Sequence, residues 1–225
     1  MQLAFVLVEP KVPENVGAAA RALKTMGFGQ LWIVNSQVHR EPAAGWVAHG
    51  SDDILAAVRA YDSLEAVRAD ADLLIGTSAK ARHGKRELYT PKALQVLLGN
   101  KGDTVAQAAL VFGREDRGLS NEELASCDLV TGIPLAVSYP SLNLGQAVML
   151  YAYALSGLRL DAAAETAAVG QWTALRDRLQ VLLPSLDVAP DSKLYQWALE
   201  RLPLLADKDV RFLHTLCQNI EKKMR

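Results

Sequence analysis

Metal-binding residues are scarce: four histidines and two cysteines are spread over 225 residues. His39, His49, His83 and His214 show no ligand spacing, and neither Cys127 nor Cys217 has a CxxC neighbour, so no metal site is expected. The two thiols read as reduced and partly buried, as in a cytosolic protein. Long apolar runs are also missing. Leu3–Val8 is stopped by Glu9 and Pro10, too short for a membrane span or a secretory signal core. No GxGxxG follows the first apolar run, and neither a Walker phosphate loop nor a GxSxG elbow occurs, which disfavours dinucleotide enzymes, P-loop NTPases and serine hydrolases. Excess charge is lacking too. A formal net charge of −1 argues against strong nonspecific nucleic-acid binding and leaves any RNA contact to particular residues.

What is present is ordinary for a globular chain, with 50% apolar and 22% charged residues, enough for one domain plus an appendage. Short apolar runs at Leu3–Val8, Leu31–Val34, Leu73–Gly76, Ala108–Phe112 and Leu129–Ile133 read as strands buried on both faces. Helical segments alternate with them: Val16–Met26, Ser51 to about Ala60, a short one capped at Asp62, one from Thr90-Pro91, one capped at Ser120 with Glu123, and a long one from Leu144. Gln37–Gly45 reads as a loop. The fold class is therefore α/β with a parallel sheet.

Several turns carry chemistry. Gly76-Thr77-Ser78-Ala79 follows a strand at once, as does Gly113, which lacks a Cβ and permits close approach to the backbone. Lys80, Arg82, Lys85 and Arg86 put four positive charges into seven residues, either as solvated surface or as a phosphate-contacting loop. Gly17 and Arg21, with Lys24 one turn on, share a helix face; they read as a packing glycine beside a solvated arginine, or as a place of close approach. Asn143 can cap the helix from Leu144, and Glu115 can pair with Arg114 or Arg117. Beyond Leu158, an alanine-rich linker (159–170) leads to three helices, Gln171–Leu183, Ser192–Leu202 and Asp209–Lys223, whose Trp197 and Phe212 read as interhelical packing.

Gly113-Arg114-Glu115 with Gly118-Leu119-Ser120, then Ile133-Pro134, then Tyr139-Pro140-Ser141-Leu142-Asn143-Leu144 form three blocks in order. Together with Glu14-Asn15-Val16-Gly17 and Arg21, they resemble the SPOUT superfamily of RNA methyltransferases. The resemblance narrows to its TrmH/TrmJ-like 2′-O-ribose branch and the LasT-like proteins within it, and covers residues 1–158. It implies a C-terminal trefoil knot holding S-adenosylmethionine (AdoMet) in its loops, followed by a small all-helical extension, 171–225. Thr77, Ser78, Ala79, Gly113, Ile133, Ser141 and Leu142 would hold the cofactor. Arg21, Asn15, Ser141, Asn143 and Glu115 would form the catalytic set, with Asn15 and Arg21 flanking the acceptor ribose. Lys80, Arg82, Lys85, Arg86 and Lys24 would contact RNA, most simply tRNA. The resemblance also implies a homodimer whose seam the Leu144–Leu155 stripe would form. A catalytically silent RNA-binding module on the same scaffold, an rRNA substrate and a base methyltransferase are the other readings.

Overall fold

The computed structural model describes residues 1–79, 87–137, 141–158 and 170–224. Seven strands form one sheet: β1 (Gln2–Val8), β2 (Gln30–Val34), β3 (Arg59–Tyr61), β4 (Leu73–Thr77), β5 (Leu88–Tyr89), β6 (Gln107–Phe112) and β7 (Leu129–Thr131). Their order is β3-β2-β1-β6-β4-β7-β5, and every pairing is parallel. The five apolar runs occupy the interior of the sheet. The two strands the sequence hides are its edges. Arg59–Tyr61 is mostly exposed and Leu88–Tyr89 has only two residues, so neither carries a buried apolar run.

Side chains alternate across the pleat. Leu3, Phe5 and Leu7 face one core cluster, while Ala4, Val6 and Val8 face the other. The first face is covered by α1 (Pro13–Met26), α3 (Asp52–Ala56), α5 (Pro91–Gly99) and α7 (Leu144–Leu155). The second is covered by α4 (Leu64–Asp70) and α6 (Asn121–Ser126).

Three expectations change here. The helix from Ser51 stops at Ala56, because residues 59–61 are drawn out to pair with β2. The short helix is capped by Ser63, whose hydroxyl accepts from the Ala66 amide, not by Asp62. The loop expected at Gln37–Gly45 contains the start of α2 (Pro42–Ala48), which Pro42 opens at its first turn. A tertiary contact fixes α2 in place: a Cβ on Gly17 would lie 2.0 Å from the Ala44 carbonyl oxygen and 2.7 Å from Val47 Cγ2. Gly17 is therefore a packing glycine, and the neighbour it admits is the chain itself.

The tail forms α8 (Gln171–Ser185), α9 (Lys193–Arg201) and α10 (Asp207–Met224). Trp172, Leu175, Leu182, Val210 and Cys217 join the same core cluster as Leu3 and Phe5. Two polar clips reinforce that apolar seam. Asp72 Oδ2 accepts from the Ala106 and Gln107 amides at 2.8 and 3.0 Å, while Oδ1 accepts from the Gly170 amide at 3.1 Å and the Thr173 hydroxyl at 2.6 Å. Lys101 is fully buried, and its ammonium donates to the carbonyls of Pro203 and, at 2.8 Å, Leu205. Burial pulls its pKa down to about 8 against the opposing pull of Asp128. A neutral amine still has two N–H groups, so deprotonation leaves both carbonyls satisfied. Trp197 and Phe212 do not pack between helices as expected; they are 58% and 74% exposed.

Candidate active site

Three loops at the C-terminal ends of adjacent strands converge on one cavity of about 420 Å³, within the range of small-molecule sites. They are the turn after β4, the loop after β6 and the segment between β7 and α7. Each is held from behind. The Ser78 amide donates to the Thr131 carbonyl at 2.9 Å, and a Cβ on Gly132 would sit 2.7 Å from the Ser78 carbonyl oxygen. These two loops therefore touch through backbone.

In the second loop, a Cβ on Gly113 would lie 2.0 Å from the Gly118 carbonyl carbon. The close approach expected at Gly113 is thus made by its own loop folding back, closed by the Arg114–Gly118 bridge. Arg114 locks the turn: its Nε donates to Glu9 at 2.7 Å, and both terminal nitrogens donate to Glu123 at 3.0 Å. Glu123 also accepts from the Ser120 amide and completes the capping box that opens α6.

The hydrogen bond from Arg114 holds the Glu9 carboxyl down at about 2, well below its ordinary 4.5, with burial opposing and Asn35 and Arg117 assisting. A depressed carboxyl stabilises the fold above its ordinary pKa and loses that contribution as pH falls through the folded value. Acidification from 4.5 to 2 should therefore lower the melting temperature of the wild type more steeply than that of Glu9→Gln. The difference should be about 1 kcal/mol after solvent screening. Parallel melting curves across that window would remove the assignment.

Glu115 pairs with neither Arg114 nor Arg117 as its primary contact. Its carboxylate accepts from the backbone amides of Lys11 (3.1 Å) and Val12 (3.2 Å) and from Asn15 Nδ2 (3.0 Å). Val12 is the N-cap of α1 and has no side-chain cap of its own. Glu115 thus caps that helix from another part of the chain, and its charge suits a helix N-terminus. Burial raises its pKa, but the Asn15 and backbone donors outweigh this and leave it lowered. Asn15 is buried and passes the connection on, its Oδ1 accepting from Asn143 Nδ2 at 2.8 Å. Asn143 Oδ1 in turn caps α7 through the Gly145 and Gln146 amides. Both readings of Asn143 hold together: it caps a helix and joins the network.

All seven residues expected around the cofactor, Thr77, Ser78, Ala79, Gly113, Ile133, Ser141 and Leu142, line this one cavity. Glu115 lines it as well, whereas Asn15, Asn143 and Arg21 do not. Arg21 lies six positions beyond Asn15, a rotation of about 240° at 3.6 residues per turn, so the two face different ways. Asn15 is buried towards Glu115 and Asn143, while Arg21 is exposed on the side where Gly17 meets α2. One chain therefore does not bring Asn15 and Arg21 to flank a common point. Lys24 is held by Asp53 at 2.5 Å. Lys80, Arg82, Lys85, Arg86, Tyr139 and Pro140 lie outside the described residues.

The sequence reading missed Tyr151 as part of the wall. It sits in the apolar stripe of α7, and its hydroxyl donates to Thr131 Oγ1 at 3.1 Å. Burial raises its pKa well above the ordinary range, so it stays a neutral hydroxyl. A polar tip in an otherwise apolar stripe was the available signal. That stripe is not free to form a seam between copies: Leu144, Val148, Tyr151 and Leu155 are all buried in the chain's own core. The apolar surface α7 leaves outside is Leu150 and Tyr153, 42% and 68% exposed.

Among the described residues no cluster of His, Cys, Asp or Glu could hold a metal, and no helix is long and apolar enough to cross a membrane. Cys127 and Cys217 are buried, and neither is in a disulfide among the described residues.

Residues 2–153 match the SpoU rRNA methylase family, and residues 169–224 match the C-terminal domain of the tRNA/rRNA methyltransferase LasT. The chain is 48% identical over 226 residues to an Escherichia coli K12 protein described as an uncharacterized tRNA/rRNA methyltransferase, LasT, covering 100% of this chain and 99% of that one. It is 38% identical over 157 residues to the tRNA (cytidine/uridine-2′-O-)-methyltransferase TrmJ of Pectobacterium atrosepticum, covering 70% of this chain and 65% of that one. Among solved structures, TrmJ from Z. mobilis ZM4 superposes with a TM-score of 0.64 at 25% identity, over 98% of this chain and 100% of that one.

Proposed function

This chain belongs to the SpoU rRNA methylase family, and on that premise we propose that it transfers a methyl group from AdoMet to a ribose 2′-hydroxyl of tRNA in the cytoplasm. The observation that carries the reading is the cavity: three loops distant in sequence converge on it, one of them tied by Glu115 to the start of α1. In this reading the loops after β4, β6 and β7 are drawn into a trefoil knot.

The residues present fit the cofactor. Phe112, Leu135, Leu142 and Tyr151 give an apolar wall for an adenine, and the Glu115 and Asp116 carboxylates suit the cationic part of the molecule. When bound, AdoMet supplies an electrophilic methyl group. The protein's own task is to orient the ribose and to stabilise charge on its 2′-oxygen as the proton leaves. Arg21 supplies the positive charge that stabilises it. A guanidinium is not deprotonated in proteins, so the proton passes to phosphate or water. Glu115, Asn15 and Asn143 are positioning residues that fix α1 and α7 against the loops.

Arg21 lies outside the cavity of its own chain, so the acceptor site is completed by a second copy in a homodimer, with Leu150 and Tyr153 of α7 on the contact face. Calorimetry with AdoMet or S-adenosylhomocysteine, without metal, should show binding. Mass-spectrometric mapping should then find one ribose methylation missing from the tRNA of a deletion strain. A folded protein that binds neither ligand would leave only the RNA-binding scaffold, and a mark missing from rRNA would reassign the substrate.

A further inference from the structure

A second cavity, about 440 Å³, lies between the β7–α6 side of the sheet domain and the tail helices α8 and α9. No part of the methyl-transfer reading uses it. Its cations are unequally satisfied. Arg68 is fully engaged, its two terminal nitrogens on Asp128 at 2.5 and 2.8 Å and one of them also on the Ser126 carbonyl. Arg176 is not. Its Nε and Nη2 both reach the same Asp177 oxygen at 3.1 Å, its guanidinium lies 5.3 Å from the centre of the Trp172 ring, and its Nη1 is buried with no hydrogen-bond partner among the described residues.

An unpaired buried cationic donor is costly, and although Nη1 itself is closed to solvent, the Arg176 side chain lines the cleft with 19% of its surface exposed, where the acceptor a guanidinium recognises best is an oxyanion. The same wall offers Trp197, more than half exposed, with Arg201 exposed four residues on along α9. Of the carboxylates in the wall, Asp128 is neutralised by Arg68, whereas Glu87, which accepts only from the neutral Tyr89 hydroxyl, and Glu200 oppose an incoming anion, with Arg176 and Arg201 against them.

A guanidinium donor and an open indole lining one cleft suit the phosphate and the base of a nucleotide. We infer that this cleft takes a nucleotide, its phosphate on Arg176 and its base stacked against Trp197. The nucleotide comes either from an RNA strand or as a free mononucleotide; the chemistry is the same, and only the RNA source rests on the methyltransferase reading. Stacking on an aromatic side chain is tolerant of base identity, so the site would grip a strand without reading its sequence.

The test uses the full chain, with Trp197→Ala and Arg176→Gln as variants. Trp197→Ala removes an exposed side chain and leaves the fold intact even if Arg176→Gln does not. Calorimetry with a 5′-mononucleotide, with inorganic phosphate and with a tRNA transcript separates the sources. If free nucleotides bind, the mononucleotide should bind at least tenfold more tightly than inorganic phosphate and lose about tenfold in Trp197→Ala. If only a strand seats there, the mononucleotide is silent and tRNA affinity falls about tenfold in the variants. Unchanged tRNA affinity together with a silent mononucleotide overturns the proposal, as does inorganic phosphate binding as well as the nucleotide. Because the readout is affinity at this cleft, a failure of AdoMet binding would strike the proposed reaction and leave this result legible.

Discussion

Arg21→Ala is expected to lower the single-turnover rate of methyl transfer by about 10²–10³, the usual effect of removing one charge-stabilising donor from a reacting oxygen. AdoMet affinity should stay within about twofold of wild type, because Arg21 is not part of the cavity wall. Arg21→Lys should recover little, since a point charge cannot reproduce a planar fork that spans phosphate and ribose. Mixing Arg21→Ala chains with chains disabled at the cavity offers a sharper version. A site built from two copies should regain part of the rate in the mixed dimer. Retention of most of the rate by Arg21→Ala alone would make Arg21 a surface arginine.

The second large effect is on stability. Asp72→Ala should destabilise the fold by about 3–4 kcal/mol, since it strips acceptors from three backbone amides and a hydroxyl at once. In a chain of this size that is roughly a 10 °C fall in melting temperature. The loss has a location: hydrogen exchange should accelerate at the Ala106, Gln107 and Gly170 amides before it does in β1. The contact also explains the glycine at 170, since a Cβ there would lie 2.7 Å from the Asp72 carboxylate. A loss under 1 kcal/mol would mean that the apolar seam around Trp172 holds the tail unaided.

The interior strands were legible because a parallel strand covered on both faces must be apolar at every position, and Leu3–Val8 is. The capping box of α6 was legible for a similar reason, since Ser120 with Glu123 is a local device whose partners lie three residues apart, although the same pattern at Asp62 gave way to a cap one residue on, at Ser63. What could not be read depends on contacts distant in sequence. Pro42 is a local start signal too weak to announce a helix of seven residues by itself; α2 packs where it does because Gly17 leaves room for its backbone. Nothing near Glu115 shows that it caps α1 rather than pairing with an adjacent arginine. Arg21 illustrates the limit most directly. The resemblance implies that it flanks the acceptor ribose with Asn15, and only the contacts of α1, with Asn15 towards Glu115 and Asn143 and Gly17 against α2, show which way each face of the helix looks.

The place of β1 in the sheet sets an order of events during synthesis. One edge of β1 pairs with β2, which follows within about twenty residues, but the other pairs with β6, from Gln2↔Gln107 to Leu7↔Phe112. At about 5–20 residues per second, β1 waits roughly 5–20 s after it is made before its second neighbour exists. Throughout that interval a strand apolar from Leu3 to Val8 has an open row of amides and carbonyls, the arrangement most prone to pair with a neighbouring chain. Only when Phe112 has been added can the row close, and the same six residues that close it lead directly into the Gly113 turn of the candidate site. Closure of the sheet's centre and arrival of the site's second loop are thus one step in the life of the chain.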